Sequence, residues 1–306
     1  MDLRDLQYLT AIAEAGSLVR AAERLGITQP TLSKAVARLE RTFRVKLIER
    51  LARGVLLTSY GQAVVARSGG IDAGVRDMFA ELRDLRQGKL GPVTFGVGTG
   101  INPAIVAAAL KPLSADNDIT FTIIGGKADA LLRAVRAGDI EFALTIAPSP
   151  KGNLAWHKLF DDPMVPITNR NHPLVRAEKV SWEDLAAARW IVPVEGTRTR
   201  EWFENQFRQR DLQPPVPVIS LDSVAGWVGL GPSALDLLAL LPASSIHYPP
   251  VAERGAILAA PEDWHSDRVV GIVHRSGGYL SKAAERLIES LESVTRRSST
   301  NAASGT

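Results

Sequence analysis

The segment Ala13-Glu14-Ala15-Gly16-Ser17-Leu18-Val19-Arg20-Ala21-Ala22-Glu23-Arg24-Leu25-Gly26-Ile27-Thr28-Gln29-Pro30-Thr31-Leu32-Ser33-Lys34 sets two short periodic runs between glycine breaks. Gly16-Ser17 interrupts the chain, and Ser17 is a good cap for a helix through Ala21, Ala22 and Leu25. Gly26 stops that helix. Thr28 caps the next one, with Pro30 in its first turn, where a missing N–H costs little. The third helix is predicted to reach about Phe43, burying Leu32, Val36, Leu39 and Phe43. Upstream, Leu3, Leu6, Leu9, Ile12 and Ala13 predict a helix over residues 2–14. Two helices joined by a short glycine-containing turn read as a helix-turn-helix. The leading turn of its second helix offers Gln29, Thr31, Ser33 and Lys34 to base edges and phosphates. A plain three-helix bundle with ordinary caps satisfies the same spacing.

Charge points the same way. The whole chain has a formal net charge of only +3. Residues 1–90, however, hold 15 Lys/Arg against 10 Asp/Glu, whereas residues 91–306 hold 21 against 23. Residues 28–53 are the most basic part, with Lys34, Arg38, Arg41, Arg44, Lys46, Arg50 and Arg53 against Glu40 and Glu49. Such a field attracts a polyanion, although a solvated helical face is the commoner cause of basic runs.

The wording of the segment decides between these readings. Ala13-x-x-Gly16-Ser17-x-x-Arg20-Ala21-Ala22-Glu23-Arg24-Leu25-x-Ile27-Thr28-Gln29-Pro30-Thr31-Leu32-Ser33-Lys34 closely resembles the LysR-type transcriptional regulators. So do Arg38-Leu39-Glu40, Lys46-Leu47-Ile48-Glu49-Arg50 and Arg53-Gly54-Val55-x-Leu57-Thr58-x-x-Gly61, in order, over residues 2–62. The resemblance implies a winged helix-turn-helix on double-stranded operator DNA. In it Gln29, Pro30, Thr31, Ser33 and Lys34 face the groove, Thr28 and Arg38 are further DNA-binding positions, and Arg50 and Arg53 belong to a β-wing along the phosphates or the minor groove. Two positions depart from the common pattern, Lys34 standing where Arg is frequent and Ile48 where an aromatic is frequent. Lysine keeps the charge and loses the bidentate fork.

From Thr58 to Lys89 the chain reads as one helix. Val64, Ser68, Ile71, Val75, Met78, Leu82 and Leu85 recur at three-and-four spacing, flanked by Glu81, Arg83, Asp84 and Arg86. The stripe suits a partner helix, though a helix lying on its own domain fits it too. The resemblance implies a dimerising linker, and tetramers are common in the family. Gly88 and Gly91-Pro92 mark the boundary.

Beyond Pro92, strands are expected at residues 93–97, 119–124, 142–146, 164–167, 190–194, 216–220, 237–241 and 269–273. Helices are expected at 103–110, 128–137, 182–187, 200–209 and 278–294. This βαβ grammar predicts parallel sheets. Arg136-Ala137-Gly138-Asp139-Ile140-Glu141-Phe142-Ala143, Asn171-His172-Pro173-Leu174 and Leu240-Leu241-Pro242 resemble landmarks of the family's two-lobed, periplasmic-binding-protein-like effector domain. Leu235-Asp236-Leu237 departs from it, standing where many members carry Gly-x-Gly.

Ligands in such sheets bind beyond the carboxyl ends of strands, at helix N-termini. Thr99, Gly100 and Asn102 follow the first strand, and Thr197, Arg198 and Thr199 occupy the like place in the second lobe. Family position adds Lys127 and Ser223. These residues suit an organic carboxylate, and ordinary helix caps with exposed charges are the competing reading.

Other chemistry has little support. With no cysteine there are no disulfides, thiolate metal sites or Cys nucleophile. Gly96-x-Gly98-x-Gly100 lacks the third glycine of a dinucleotide fingerprint, Ile101 following instead. His157, His172, His247, His265 and His274 show no ligand spacing, and Asp161-Asp162 and Glu262-Asp263 read as solvated loop acids. No nucleophile elbow is present. No catalytic residue, metal or cofactor is therefore expected. Met1–Asp5 shows no secretory pattern and the apolar runs are too short to span a bilayer, so a cytoplasmic location is expected.

The expected fold is an α+β multidomain chain. It comprises a winged helix-turn-helix (residues 1–58), a linker helix (59–90), a two-lobed α/β effector domain (91–295) and a disordered tail (296–306). Lobe I takes about 91–161 and 268–295; lobe II takes about 162–267, with crossovers near 160–163 and 265–268. A transporter's solute-binding protein would account for the α/β part and leave the basic helix-turn-helix unexplained.

Overall fold

Helix α1 (Leu3–Ala15) begins where the Asp2 carboxylate accepts the Arg4 N–H at 3.0 Å. Helix α2 (Leu18–Leu25) follows Gly16, and α3 (Gln29–Phe43) follows Gly26; both glycines sit in the left-handed region, at φ 62° and 65°. In this computed structural model, residues 2–51, 54–87, 91–116, 118–146, 152–223, 236–247 and 249–303 are described. The chain divides into two compact units. One is built of residues up to Arg86 with short segments at Arg136–Asp139 and Gly277–Tyr279, and the other comprises the remainder.

Leu6, Leu9 and Ile12 of α1 pack against Leu18, Ala21 and Ala22 of α2 and Leu32, Val36 and Leu39 of α3. Leu9, Ile12, Leu32 and Leu39 are fully buried, each contributing about 1.5–3 kcal/mol relative to exposure. Phe43 departs from expectation. It lies in the last turn of α3, before Arg44 ends the helix in the left-handed region, and stays 39% exposed.

Strands β1 (Ile48–Leu51) and β2 (Gly54–Leu57) form an antiparallel wing with Arg50 opposite Val55. The wing is anchored at both ends by backbone. Val55 N–H donates to the Gly16 carbonyl and Thr58 N–H to the Leu47 carbonyl, each at 3.0 Å. A Cβ at residue 54 would meet the Gly16 oxygen at 2.6 Å, so only glycine fits there.

Helix α4 (Ser59–Gln87) is capped by Thr58, whose hydroxyl accepts the Gly61 N–H at 3.0 Å. The apolar stripe changes partners along its length. Val64 packs into the winged-helix core, and Ser68, 2% exposed, meets the Thr10 hydroxyl at 3.0 Å. From Ile71 onward the stripe faces outward, with Met78, Leu82 and Leu85 at 50%, 51% and 73% exposure and Phe79 beside them.

Among its described residues the second unit holds two five-stranded sheets. The first has the order β4-β3-β5-β12-β6, from β3 (Gly91–Gly98), β4 (Ile119–Gly126), β5 (Phe142–Thr145), β6 (Leu154–Asp161) and β12 (Val269–Arg275). Helices α5 (Pro103–Leu110) and α10 (Lys282–Ala303) cover one face, over Phe95, Phe142, Leu144 and Ile272. Helix α6 (Ala128–Ala137) packs Leu131 and Val135 over the other face.

The second sheet has the order β11-β7-β10-β8-β9, from β7 (Met164–Asn169), β8 (Trp190–Pro193), β9 (Pro217–Leu221), β10 (Leu238–Pro242) and β11 (Gly255–Ile257). Helices α7 (Trp182–Ala187), α8 (Arg198–Arg208) and α9 (Pro249–Arg254) complete this lobe. Its core is aromatic. Trp182 stacks on Trp264 at 5.4 Å, Trp202 meets Trp264 edge-on, and Trp190 packs against Phe203.

The expectation of parallel sheets needs correction. β4, β3 and β5 are parallel, as are β9, β8 and β10, but β12 runs antiparallel to β5 and β6, and β7 antiparallel to β10 and β11. β12 enters its sheet on returning from the other lobe and needs no helical crossover, so its direction is not set by βαβ chirality. The β6 strand was absent from the expectation altogether. The helical backbone of α10 also extends to Ala303, past the point at which the polar tail was expected to fray. Once nucleated on Ala283, Leu287 and Leu291, it needs little to propagate.

Candidate nucleic-acid interface and effector site

Helix α3 presents its first turn outward. Thr28 accepts the Thr31 N–H as N-cap, and the two hydroxyls meet at 2.8 Å. Gln29, Pro30, Thr31 and Lys34 are exposed and Ser33 half-buried, while Leu32 between them is fully buried. The buried leucine fixes the rotation of the helix, so its polar neighbours have one direction to face. Arg50 reaches back from β1 to the Ser33 hydroxyl at 3.4 Å, bringing wing and recognition helix to one surface. Arg53 lies outside the described residues.

Arg38, expected among the DNA-binding residues, has a partner within the fold. Its guanidinium forks onto Asp5, Nε to Oδ2 at 3.1 Å and Nη2 to Oδ1 at 2.5 Å, and the Asp5 side chain is wholly buried. The fork ties α3 to α1. The hydrogen bond from Arg38 holds the Asp5 carboxyl below the usual carboxylate range, against the opposing effect of burial. A carboxyl with a depressed folded pKa stabilises the fold above its unfolded value and loses that contribution as pH falls through the folded one. The winged-helix unit is therefore expected to soften below roughly pH 4. Arg38→Met is expected to lower the urea midpoint at pH 7 and to flatten this acid dependence. Far-UV circular dichroism titrations at pH 7 and pH 3 check it, and a steeper acid loss in the variant would refute it.

In the second unit the expected effector residues occur at the carboxyl ends of strands. Thr99 and Gly100 follow β3, and the Thr99 N–H donates to the Gly126 carbonyl at 3.1 Å. Lys127 follows β4 and is exposed. Thr197 caps α8, accepting the Arg200 N–H and donating to the Val194 carbonyl, with Arg198 exposed and Thr199 half-buried in the first turn. Ser223 lies just past β9, half-buried. Arg200 is turned inward onto Glu204 at 2.5 Å and the Pro193 carbonyl.

Asn102 is the residue whose surroundings differ most from expectation. It is 1% exposed and both amide atoms are engaged: Oδ1 accepts the Ala104 N–H to cap α5, and Nδ2 donates to the Ser244 carbonyl at 2.9 Å. It is a cap and a tie between lobes.

Of the acidic pairs read as solvated loops, Asp161, Glu262 and Asp263 are exposed and Asp162 is not. Asp162 is 1% exposed and forms a buried ion pair with Arg268 at 2.6 Å, while Asp263 accepts from the Trp182 Nε1 and from Arg210. Burial pulls the Arg268 guanidinium below its ordinary range and Asp162 opposes that shift. Only the apposition of segments a hundred residues apart reveals this pair. Near it, the Ser245 hydroxyl is fully buried with no hydrogen-bond partner among the described residues. His172 caps the turn at Pro173–Arg176 by accepting the Leu174 N–H on Nδ1, and burial lowers its pKa, favouring the neutral ring that accepting requires. Leu235 of the departing Leu-Asp-Leu segment lies outside the described residues. Among the described residues no His/Asp/Glu cluster is arranged to hold a metal ion, and no helix is long and apolar enough to cross a membrane.

A winged helix-turn-helix with a polar leading turn, continued into a two-lobed α/β domain, defines a DNA-binding regulator with a ligand-sensing module. Comparison with known proteins makes the family plain. Residues 3–62 match the bacterial regulatory helix-turn-helix protein of the lysR family, and residues 86–296 match the LysR substrate binding domain. Similar proteins include the HTH-type transcriptional regulator YybE of Bacillus subtilis, 27% identical over 295 residues (93% of this chain, 96% of that one). The HTH-type transcriptional activator CmpR of Synechocystis is 31% identical over 246 residues (78% and 80%). In architecture the chain is similar to ArgP from Mycobacterium tuberculosis, with a TM-score of 0.67 at 17% identity over 96% of this chain and 97% of that one. The chain belongs to the LysR family of DNA-binding transcriptional regulators.

Proposed function

We propose that this regulator acts as a self-associated pair or tetramer on a two-half-site operator, and that a small organic anion in the cleft between its lobes changes its operator fit. The observation that carries this reading is the exposed turn from Gln29 to Lys34 beside Arg50, held in one orientation by buried Leu32. The outward stripe of Ile71, Met78, Leu82 and Leu85 supports self-association, because a single soluble chain rarely leaves such a continuous apolar edge in water. Two copies then address two half-sites.

An anionic effector is supported by the polar α8 N-terminus at Thr197, Arg198 and Thr199 and by exposed Lys127. The effector alters operator binding only through different affinity for two lobe arrangements. Absence of cysteine closes thiol-based redox sensing to this chain. The protein is non-enzymatic in this reading and works in the cytoplasm, where its DNA lies.

The experiment is fluorescence anisotropy on the DNA upstream of the chain's own gene, with isothermal calorimetry against a panel of organic acids. Binding of neutral ligands with no acid bound would overturn the anionic reading. Gln29→Ala is expected to lose about 1–3 kcal/mol of discrimination at one base pair while leaving binding to random duplex unchanged. An operator-to-random affinity ratio equal to the parent's would show that Gln29 reads no base.

A further inference from the structure

Chain crossing between the lobes occurs twice, beside Asp162 and beside Arg268, and the crossings bond to each other through the Asp162 N–H and the Arg268 carbonyl at 3.0 Å. Both side chains are buried there. Arg268 Nη1 donates to Asp162 Oδ2 at 2.6 Å and to the Asp162 carbonyl at 2.8 Å, and Nη2 donates to the Gly100 carbonyl. Asp162 in turn accepts from the Ser244 N–H at 2.9 Å and the Ser244 hydroxyl at 3.1 Å. The Ser244 carbonyl accepts from Asn102 Nδ2 at 2.9 Å, which returns to the loop that holds Gly100. The bonds close a ring: Gly100, Arg268, Asp162, Ser244, Asn102. Gly100 and Asn102 belong to the lobe of β3, Ser244 to the lobe of β10, and the ion pair to the crossings.

Two bare strands would suffice to connect the lobes. A desolvated ion pair is a poor way to gain stability, but it tolerates few geometries, because an unpaired charge in its place is strongly penalised. Charge-assisted bonds near 2.6 Å weaken steeply with misalignment, so the ring favours one interlobe angle over its neighbours. The fully buried Ser245 hydroxyl, lacking a partner among the described residues, leaves an unmet polar group next to the ring.

We infer that Asp162, Arg268, Ser244 and Asn102 form a latch that sets the interlobe angle of the effector-free regulator, and that the Gly100–Asn102 loop is where an occupant of the cleft acts on it. The second clause rests on the effector reading above; the first does not. These are positioning residues. They hold the loops of the two lobes in register, and an occupant that displaces the Gly100 carbonyl from Arg268 releases the angle.

Because the chain has no cysteine, a pair introduced at Asp129 on α6 and Glu201 on α8, both exposed and in different lobes, can be spin-labelled in the full-length protein. Diluted into unlabelled protein so that distances within one protomer dominate, the parent is expected to give one narrow dipolar distance distribution without any ligand. Asn102→Ser keeps a capping oxygen for α5 but is too short to reach the Ser244 carbonyl, and Arg268→Lys keeps the charge but cannot serve Asp162 and Gly100 together. Each is expected to shift or broaden the distribution beyond the parent's width, with far-UV circular dichroism unchanged. A folded Asn102→Ser protein whose distribution superimposes on the parent's overturns the latch, and this variant decides the matter even where Arg268→Lys does not fold. No effector enters the measurement, so its failure leaves the organic-acid reading standing, and failure of the acids in calorimetry leaves the distances untouched.

Discussion

A Leu82→Glu, Leu85→Glu double variant is expected to sediment as a monomer and to lose operator affinity by about 10²–10⁴-fold. Leu82 and Leu85 are 51% and 73% exposed at the distal end of the α4 stripe, about four turns beyond Ser68 of the part used by the winged helix. Glutamate is a good helix former, so α4 persists and only the shared surface is lost. The affinity falls because each recognition helix must then find its half-site alone, without the effective concentration its partner provided. The Gln29 turn is untouched, so preference for one half-site over random duplex should survive, while the salt dependence falls with the number of phosphates contacted. Sedimentation velocity and anisotropy titrations read both effects. A dimeric variant with parental affinity would place the assembly surface elsewhere.

Gly61→Ala is expected to be nearly as damaging, by a steric route. A Cβ there would lie 2.0 Å from the Leu47 carbonyl oxygen and 3.0 Å from its carbon. That carbonyl cannot swing aside freely, because it accepts the Thr58 N–H that joins the wing to α4. Either the wing or the first turn of α4 must move, and the loss of stability should be roughly 3 kcal/mol. Operator binding should fall with it, since Arg50 rides on the displaced strand. Thermal unfolding by circular dichroism together with anisotropy checks the pair of effects; a parental melt with parental affinity would show that the junction yields at no cost.

Local signals made the first unit legible. Gly16, Gly26, Thr28 and Pro30 each act within a few residues, and the leucine periodicity of α1 and α3 leaves one buried face, so elements and boundaries followed from the chain itself. The limit appears with Arg38. Its place in a basic run predicted a DNA contact, while its partner Asp5 lies 33 positions away and gave no sign of being buried. Similar reasoning applies to Asp162, whose neighbour Asp161 is an ordinary exposed acid paired with Lys158. Nothing adjacent distinguishes the two carboxylates; Arg268 and Ser244 do, from 106 and 82 residues downstream. Asn102 is read from the sequence either as an effector contact or as a helix cap, because both need the same side chain at the same helix end; the structure shows the cap and adds a bond to Ser244 that the sequence does not signal. The direction of β12 escaped for another reason. Alternation identifies a strand and its faces, but an antiparallel return from a distant lobe has no periodicity of its own.

The stacked indoles of the second lobe have a practical consequence. Every tryptophan of the chain lies beyond residue 155, and Trp182, Trp190, Trp202 and Trp264 share one aromatic core. Intrinsic emission excited at the red edge of indole absorption therefore reports on the ligand-sensing half alone and is blind to the DNA-reading half. With Arg210 lying 3.9 Å over the Trp182 ring, a shift of that lobe's packing should register as a change in quantum yield. The molecule carries its own optical gauge, in a segment of sequence distinct from the winged helix.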